Sequence, residues 1–241
     1  MRSARFPDRV GLLSPHPDDA VLSAWSLLGS GTTVITVFAG DPADPTPGHW
    51  DAVCGLPSSH EAMRQRRQED RQALEALDVQ IEQLDLVENQ YADRASPVAV
   101  SEAIMASLPL HCELLVAPAG IGGHPDHLTV RAAAIELARA LGIPLELYAE
   151  LPYAVQHGWP RAVDGHGPGG ATDPMAGWTA FLPAEATAMR VIALSPDERR
   201  AKRRSAEAYE TQWPALNGLG LLELDAFWAY EVRWILKTAD C

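Results

Sequence analysis

The sequence predicts an α/β domain, a Rossmann-like three-layer arrangement with a mostly parallel sheet, extended at its C-terminal end by loops and helices. Three observations carry that expectation. From Val10 to about Tyr153, short apolar runs alternate with longer helical segments, and such alternation argues a parallel sheet covered on both faces. Two of the runs end in proline-flanked turns bearing histidine and aspartate, at the strand ends where open α/β sheets keep their ligands. The chain has 241 residues, 47% of them apolar, which suffices for a sizeable core in one domain and argues against disorder.

Taken in order, Val10 to Leu13 reads as a buried strand, too short and too apolar for a helix. Pro15 and Pro17 fix φ at their own positions and push Ser14 and His16 toward extended geometry, so the strand leaves as a stiff turn. Asp18 or Asp19 is placed to cap a helix over Ala20 to Leu28. Thr32 to Ala39, rich in Val, Ile, Thr and Phe, has strong β propensity. Asp41 to Pro57 is too dense in proline and glycine for a regular element, and a loop that long in a compact domain is usually functional or mobile. A charged helix over His60 to Leu77 follows, then a strand over Ile81 to Val87 and a helix over Pro97 to Leu108. Leu114 to Ala117 is the next strand and Leu128 to Leu141 the next helix.

Beyond Tyr153 the character shifts. Gln156 to Gly177 is Gly- and Pro-rich and reads as a lid or surface loop, and Arg190 to Leu194 as one more strand. Ser195-Pro196-Asp197-Glu198 opens a helix with a capping box, and that helix runs to about Trp213. Ala226 to Leu236 reads as a last helix, packed through Phe227, Trp228, Val232, Ile235 and Leu236. Residues 1–241 thus form one domain, with 195–241 its helical C-terminal part.

Two turns carry the chemistry. In Ser14-Pro15-His16-Pro17-Asp18-Asp19, stiffness lets His16 and Asp19 converge with little loss of side-chain freedom, a pair that suits a zinc-type ion. Taken alone, this stretch is equally readable as a His-Pro turn with a capping aspartate. Gly122-Gly123-His124-Pro125-Asp126-His127 repeats the pattern where another strand hands over to a helix. Two such turns on neighbouring parallel strands would face one crevice, and their coincidence is hard to explain as capping.

These residues resemble the paired signature of the PIG-L/LmbE-like zinc-dependent N-deacetylases. Further resemblances are Arg66-Arg67-Gln68-Glu69 to the family's Arg-x-x-Glu helix, Tyr148-Ala149-Glu150-Leu151-Pro152-Tyr153 to the strand after its second motif, and Ala208-Tyr209-Glu210-Thr211-Gln212 to its late Tyr-x-Ser-Gln helix. The resemblance implies one Zn2+ per chain held by His16, Asp19 and His127, with Asp18 as the general base. It makes His124 a stabiliser of the tetrahedral oxyanion or a proton donor to the leaving nitrogen, oriented by Asp126. It places Arg66 and Glu88 as substrate contacts; His49, Trp50 and Asp51 are offered for sugar binding by position alone. The implied reaction removes an N-acyl group, usually acetyl, from an amino sugar or a metabolite bearing one. Family members often assemble, so a homo-oligomer is left open. One departure stands out: Ala20 replaces the glutamate that commonly follows Asp-Asp, which puts the substrate type in doubt rather than the metal chemistry.

Composition narrows the classes. A net charge of −13 disfavours nucleic acid or an anionic membrane as partner. No apolar run approaches the ~20 residues of a membrane helix, and the first ten residues hold no signal-peptide core; cytoplasmic residence is the default expectation. Cys54, Cys112 and Cys241 share no CxxC spacing and read as reduced thiols. An amidase on a thiol-sugar conjugate and a metal-dependent phosphoesterase are the alternatives, the second generally needing two metals and more carboxylates than these turns offer. A nucleotide-binding module is disfavoured, because Pro-His-Pro-Asp-Asp stands where a glycine-rich phosphate loop would be needed.

Overall fold

The structure, a computed structural model, describes residues 8–158, 176–218 and 220–236. Among them seven strands form one sheet: β1 (Val10–Ser14), β2 (Thr32–Thr36), β3 (Gln80–Gln83), β4 (Leu114–Pro118), β5 (Leu145–Tyr148), β6 (Ala186–Ala193) and β7 (Tyr230–Leu236). Their spatial order is β3-β2-β1-β4-β5-β7-β6. The first five run parallel, with Val10 registered against Thr32 on one side and Leu114 on the other. β7 is antiparallel to both β5 and β6. The expected mostly parallel α/β architecture is therefore present. β1, β2, β4 and β5 are buried along their whole length, as strands covered by helices on both faces must be.

The helices are α1 (Asp19–Ser23), α2 (His49–Val53), α3 (Ser59–Glu75), α4 (Pro97–Ser107), α5 (Pro125–Leu141), α6 (Tyr153–Gln156), α7 (Ala176–Thr179), α8 (Pro196–Ala206), α9 (Trp213–Gly218) and α10 (Asp225–Ala229). Several expectations need correction. The helix expected over Ala20 to Leu28 breaks after Ser23 into a 3-10 turn at Trp25–Leu27. One cause is tertiary: the Ser26 N–H donates to the Glu231 carboxylate at 3.0 Å, outside any helical ladder. The loop over Asp41 to Pro57 contains α2, because its breakers cluster before Gly48 and the helix starts after them, with Asp51 Oδ2 accepting from Gly48 N at 2.8 Å. α5 starts at Pro125, three residues before the expected Leu128, so Asp126 and His127 lie in its first turn.

The largest correction concerns the end of the chain. The region expected to be helical from 195 onward returns to the sheet, and Tyr230–Leu236 is a strand. The 3–4 spacing of Phe227, Trp228, Val232 and Ile235 mimics a helix face, while the aromatic and β-branched residues from Tyr230 fit a pleated surface better. The capping box does form: Ser195 N donates to Glu198 Oε2 at 2.7 Å and Glu198 N to Ser195 Oγ at 3.3 Å. α8 stops at Ala206, short of Trp213. Of the expected lid, residues 159–175 lie outside the described residues. No described helix is long and apolar enough to cross a membrane.

β7 also carries a buried ion pair. Lys202 of α8, fully buried, donates to Glu231 Oε1 at 2.9 Å, and the other oxygen of Glu231 takes the Ser26 N–H. Removing one partner leaves the other charge buried and uncompensated. Lys202→Met is expected to lower unfolding stability by about 3–5 kcal/mol in urea titration, and the double variant with Glu231→Leu to recover most of it. Equal destabilisation of single and double variants would count against the pair as the cause.

Candidate metal centre and catalytic pocket

The sheet order reverses between β1 and β4, and the two motif turns leave the carboxyl ends of these adjacent strands. At the first turn, Ser14 Oγ donates to the His16 carbonyl at 2.8 Å and accepts from Ala20 N at 3.0 Å. The serine thus satisfies the start of α1, and neither aspartate is needed as a cap. Asp19 folds back, its Oδ2 accepting from His16 N at 3.0 Å. Asp18 stands at the N-cap position with φ 121° and ψ −35°, yet its side chain makes no capping bond. Such backbone costs a non-glycine residue about 1–3 kcal/mol; here it turns a carboxylate with no hydrogen bond among the described residues toward the cavity.

At the second turn, His124 is the N-cap of α5 and its Nδ1 accepts from Asp126 N at 3.3 Å. That leaves the imidazole proton on Nε2, as a donor. Gly122, at φ +86°, lets Tyr153 close in: a Cβ there would lie 3.0 Å from the tyrosine ring. The two turns meet in a small triangle. His16 Nδ1 lies 3.3 Å from His127 Nε2, and Asp19 Oδ2 lies 3.4 Å from each nitrogen. Four-coordinate zinc with ligands at about 2.0–2.1 Å spaces them about 3.3 Å apart.

Carboxylates brace the far side of both rings. His16 Nε2 sits 3.0 Å from Asp126 Oδ2, which also accepts from Asn89 N at 3.1 Å. His127 Nδ1 sits 3.3 Å from Glu150 Oε1. Glu150, fully buried, also accepts the N–H groups of Gly120 and Ile121. Each brace holds a proton on the outer nitrogen and leaves the inner lone pair free, the arrangement found behind metal-bound histidines. Three lone pairs so close together repel unless a cation joins them. The donor set and its spacing therefore fit a single zinc-type ion. His124 joins His16 and His127 in a looser group whose donor atoms all lie within 4.8 Å of one another; the tighter triangle containing Asp19 is the better match to zinc.

The surrounding carboxylates favour positive charge at the triangle. Burial would lower the His16 pKa, but its bonds to Asp126 and Asp19 and the charge of Glu88 raise it to about 10. Burial would raise that of Asp19, but His127 and His16 bring it to about 2. Asp18 is pushed up, by burial first and the Asp19 charge second. His124 is driven down to about 3 by burial and by His16 and His127. Acidic groups crowd this pocket and draw positive charge to the triangle.

The triangle floors a cavity of about 380 Å³ that Arg66, Glu88, Trp50, Tyr153 and Gln212 also line, a size that suits a small molecule. Arg66 is not on a solvated helix face: it is 2% exposed and paired with Glu88 Oε1 at 2.6 Å. Burial pushes the Cys54 thiol up to about 11, and Cys54 is not among the residues that line the cavity.

The family profile described as "PIG-L: GlcNAc-PI de-N-acetylase" matches residues 12–138, which hold both motif turns. The chain belongs to the PIG-L family. It is 30% identical over 174 residues to the 2'-N-acetylparomamine deacetylase of Streptomyces fradiae, a match spanning 61% of this chain and 58% of that protein. Among solved structures, a deacetylase triple mutant of the teicoplanin biosynthetic pathway superposes with TM-score 0.74 at 28% identity, covering 96% of this chain and 99% of that one. The A40926 pseudoaglycone deacetylase Dbv21 does so with TM-score 0.73 at 27% identity, covering 98% of this chain and 100% of that one.

Within this PIG-L chain, the structure brings His16, Asp18, Asp19, His124, Asp126, His127, Arg66 and Glu88 around one cavity. One expected contact differs: the Asp126 carboxylate orients His16, not His124, because the first turn of α5 carries it to the far side of the His16 ring. Glu150, two residues beyond β5, was not among the expected site residues; its signal was a carboxylate just past the carboxyl end of a buried strand next to β4. Glu150→Gln is expected to weaken zinc binding about 10–100-fold in chelator competition, with unchanged circular dichroism. An unaltered affinity would remove Glu150 from the support of His127.

Proposed function

We propose that this protein is a zinc-dependent N-deacetylase that removes an acetyl group from an amino sugar carried on an antibiotic-type small molecule. The observation that carries the reading is the triangle of His16, Asp19 and His127 with, beside it, a strained Asp18 whose carboxylate has no hydrogen bond among the described residues. The relatives support the substrate class, since all three are named as deacetylases and their names point to paromamine, teicoplanin and A40926 chemistry. Zinc bound there would supply a Lewis acid for the amide oxygen and lower the pKa of water toward neutrality.

The chain's own groups do the rest. Asp18 takes a proton from the attacking water and returns it to the departing amine nitrogen, so that acetate and a free amine leave. His124, neutral and with its proton on Nε2, donates to the carbonyl oxygen as negative charge develops. Arg66 and Glu88 bind substrate hydroxyls from the cavity wall. A two-metal phosphoesterase is disfavoured because the neighbouring carboxylates are already engaged: Asp126 with His16, Glu150 with His127 and two backbone N–H groups, Glu88 with Arg66.

Complete chelation, verified by elemental analysis, is expected to abolish release of acetate from N-acetylated amino sugars while the fold persists; turnover without metal would refute the mechanism. Asp18→Asn is expected to retain zinc and lose ~10²–10⁴-fold in kcat, whereas Asp19→Asn should lose zinc. The reverse pattern would exchange the two roles. For His124→Ala the expectation is a kcat lower by ~10²–10³-fold with KM and zinc content little changed. Loss of zinc in that variant would make His124 a ligand.

A further inference from the structure

α2, in the segment after β2, brings Trp50 to the cavity, and both N–H groups of this residue, the backbone amide and the indole, are engaged. Trp50 N donates to Gln90 Oε1 at 3.0 Å, and its indole Nε1–H donates to Gln212 Oε1 at 3.1 Å. Gln212, 1% exposed, passes the connection on, its Nε2 donating to the Pro17 carbonyl at 3.1 Å, next to Asp18. On the other side Gln90 Nε2 donates to Glu88 Oε2 at 2.5 Å, and Glu88 accepts from Arg66. An unbroken hydrogen-bonded chain thus runs from Arg66 through Glu88, Gln90, Trp50 and Gln212 to the base turn. Gly48 permits it, since a Cβ there would overlap the Gln90 amide.

With both N–H groups consumed, Trp50 offers the cavity only hydrocarbon and a π-face. The opposite resource, hydrogen-bonding groups, comes from Arg66 and Glu88. A flat apolar wall fixed in register with a polar pair matches a pyranose ring, which has a C–H face and a rim of hydroxyls. An open-chain amide has no such face. Resting on the deacetylase reading above, we infer that Trp50 is the specificity-determining platform for the ring of a cyclic amino sugar, and that Gln212 is the positioning residue that locks it.

The test compares two probes bearing the same acetamide, methyl N-acetylglucosaminide as the ring and N-acetylglucosaminitol as the open chain. Their ratio of kcat/KM cancels any general damage near Asp18. Trp50→Ala is expected to lower the ring-over-chain ratio roughly tenfold, mainly through KM. Trp50→Phe, which keeps an aromatic but loses the N–H, should fall between, and Gln212→Leu should lower the ratio with Trp50 intact. A ratio unchanged in all three variants, or equal losses on both probes, overturns the inference. If the zinc-loaded wild type hydrolyses neither probe, the deacetylase reading fails by itself. Calorimetric binding of the corresponding free-amine ring and chain then decides: a ring preference removed by Trp50→Ala sustains the platform, and no preference in the wild type refutes it.

Discussion

The arrangement depends on holding three lone pairs within 3.4 Å of one another while two buried carboxylates pull from behind. His16 and His127 come from turns more than a hundred residues apart in sequence, and only the reversal of strand order between β1 and β4 makes them neighbours. Because both strands are fully buried, their register is pinned by packing. The turns therefore inherit their relative position from the core. Proline at positions 15, 17 and 125 adds local stiffness, so little conformational freedom is lost when the donors converge.

A site of this kind is poised electrostatically. Asp18, Asp19, Asp126 and Glu88 line a cavity in which Arg66 is the one arginine or lysine among the described lining residues, and Arg66 is already committed to Glu88. Unmet negative charge favours a cation at the triangle, and Asp18 stands beside it in a strained conformation without a capping bond.

The C-terminal segment turns out to belong to the site. Tyr209 donates to Asp70 at 3.0 Å, Thr211 donates to both oxygens of Glu69, and Gln212 reaches Pro17. α3 is thereby clasped to the late segment along the two positions after Gln68, and the first motif turn is closed from above. The glutamate of the Arg-x-x-Glu pattern serves this clasp, while its arginine faces the cavity. One short helical pattern thus splits its residues between architecture and binding.

The residue order alone determined the strand–turn–helix units, because apolar runs, proline positions and caps such as Ser195 act over a few neighbouring residues. It also marked candidate side chains for metal chemistry, since His16, Asp19, His124 and His127 recur in the same His-Pro-Asp pattern at two strand ends. Only the tertiary structure decided what each one touches. The Asp126 carboxylate reaches His16 rather than its sequence neighbour because helix geometry turns it away from the N-cap. Glu150 becomes a brace because β5 lies beside β4. Ser26 and Glu231 interrupt a helix that propensity favours. Tyr230 to Leu236 becomes a strand because β5 and β6 present it with two ladders of hydrogen bonds, a partner that no local pattern can announce.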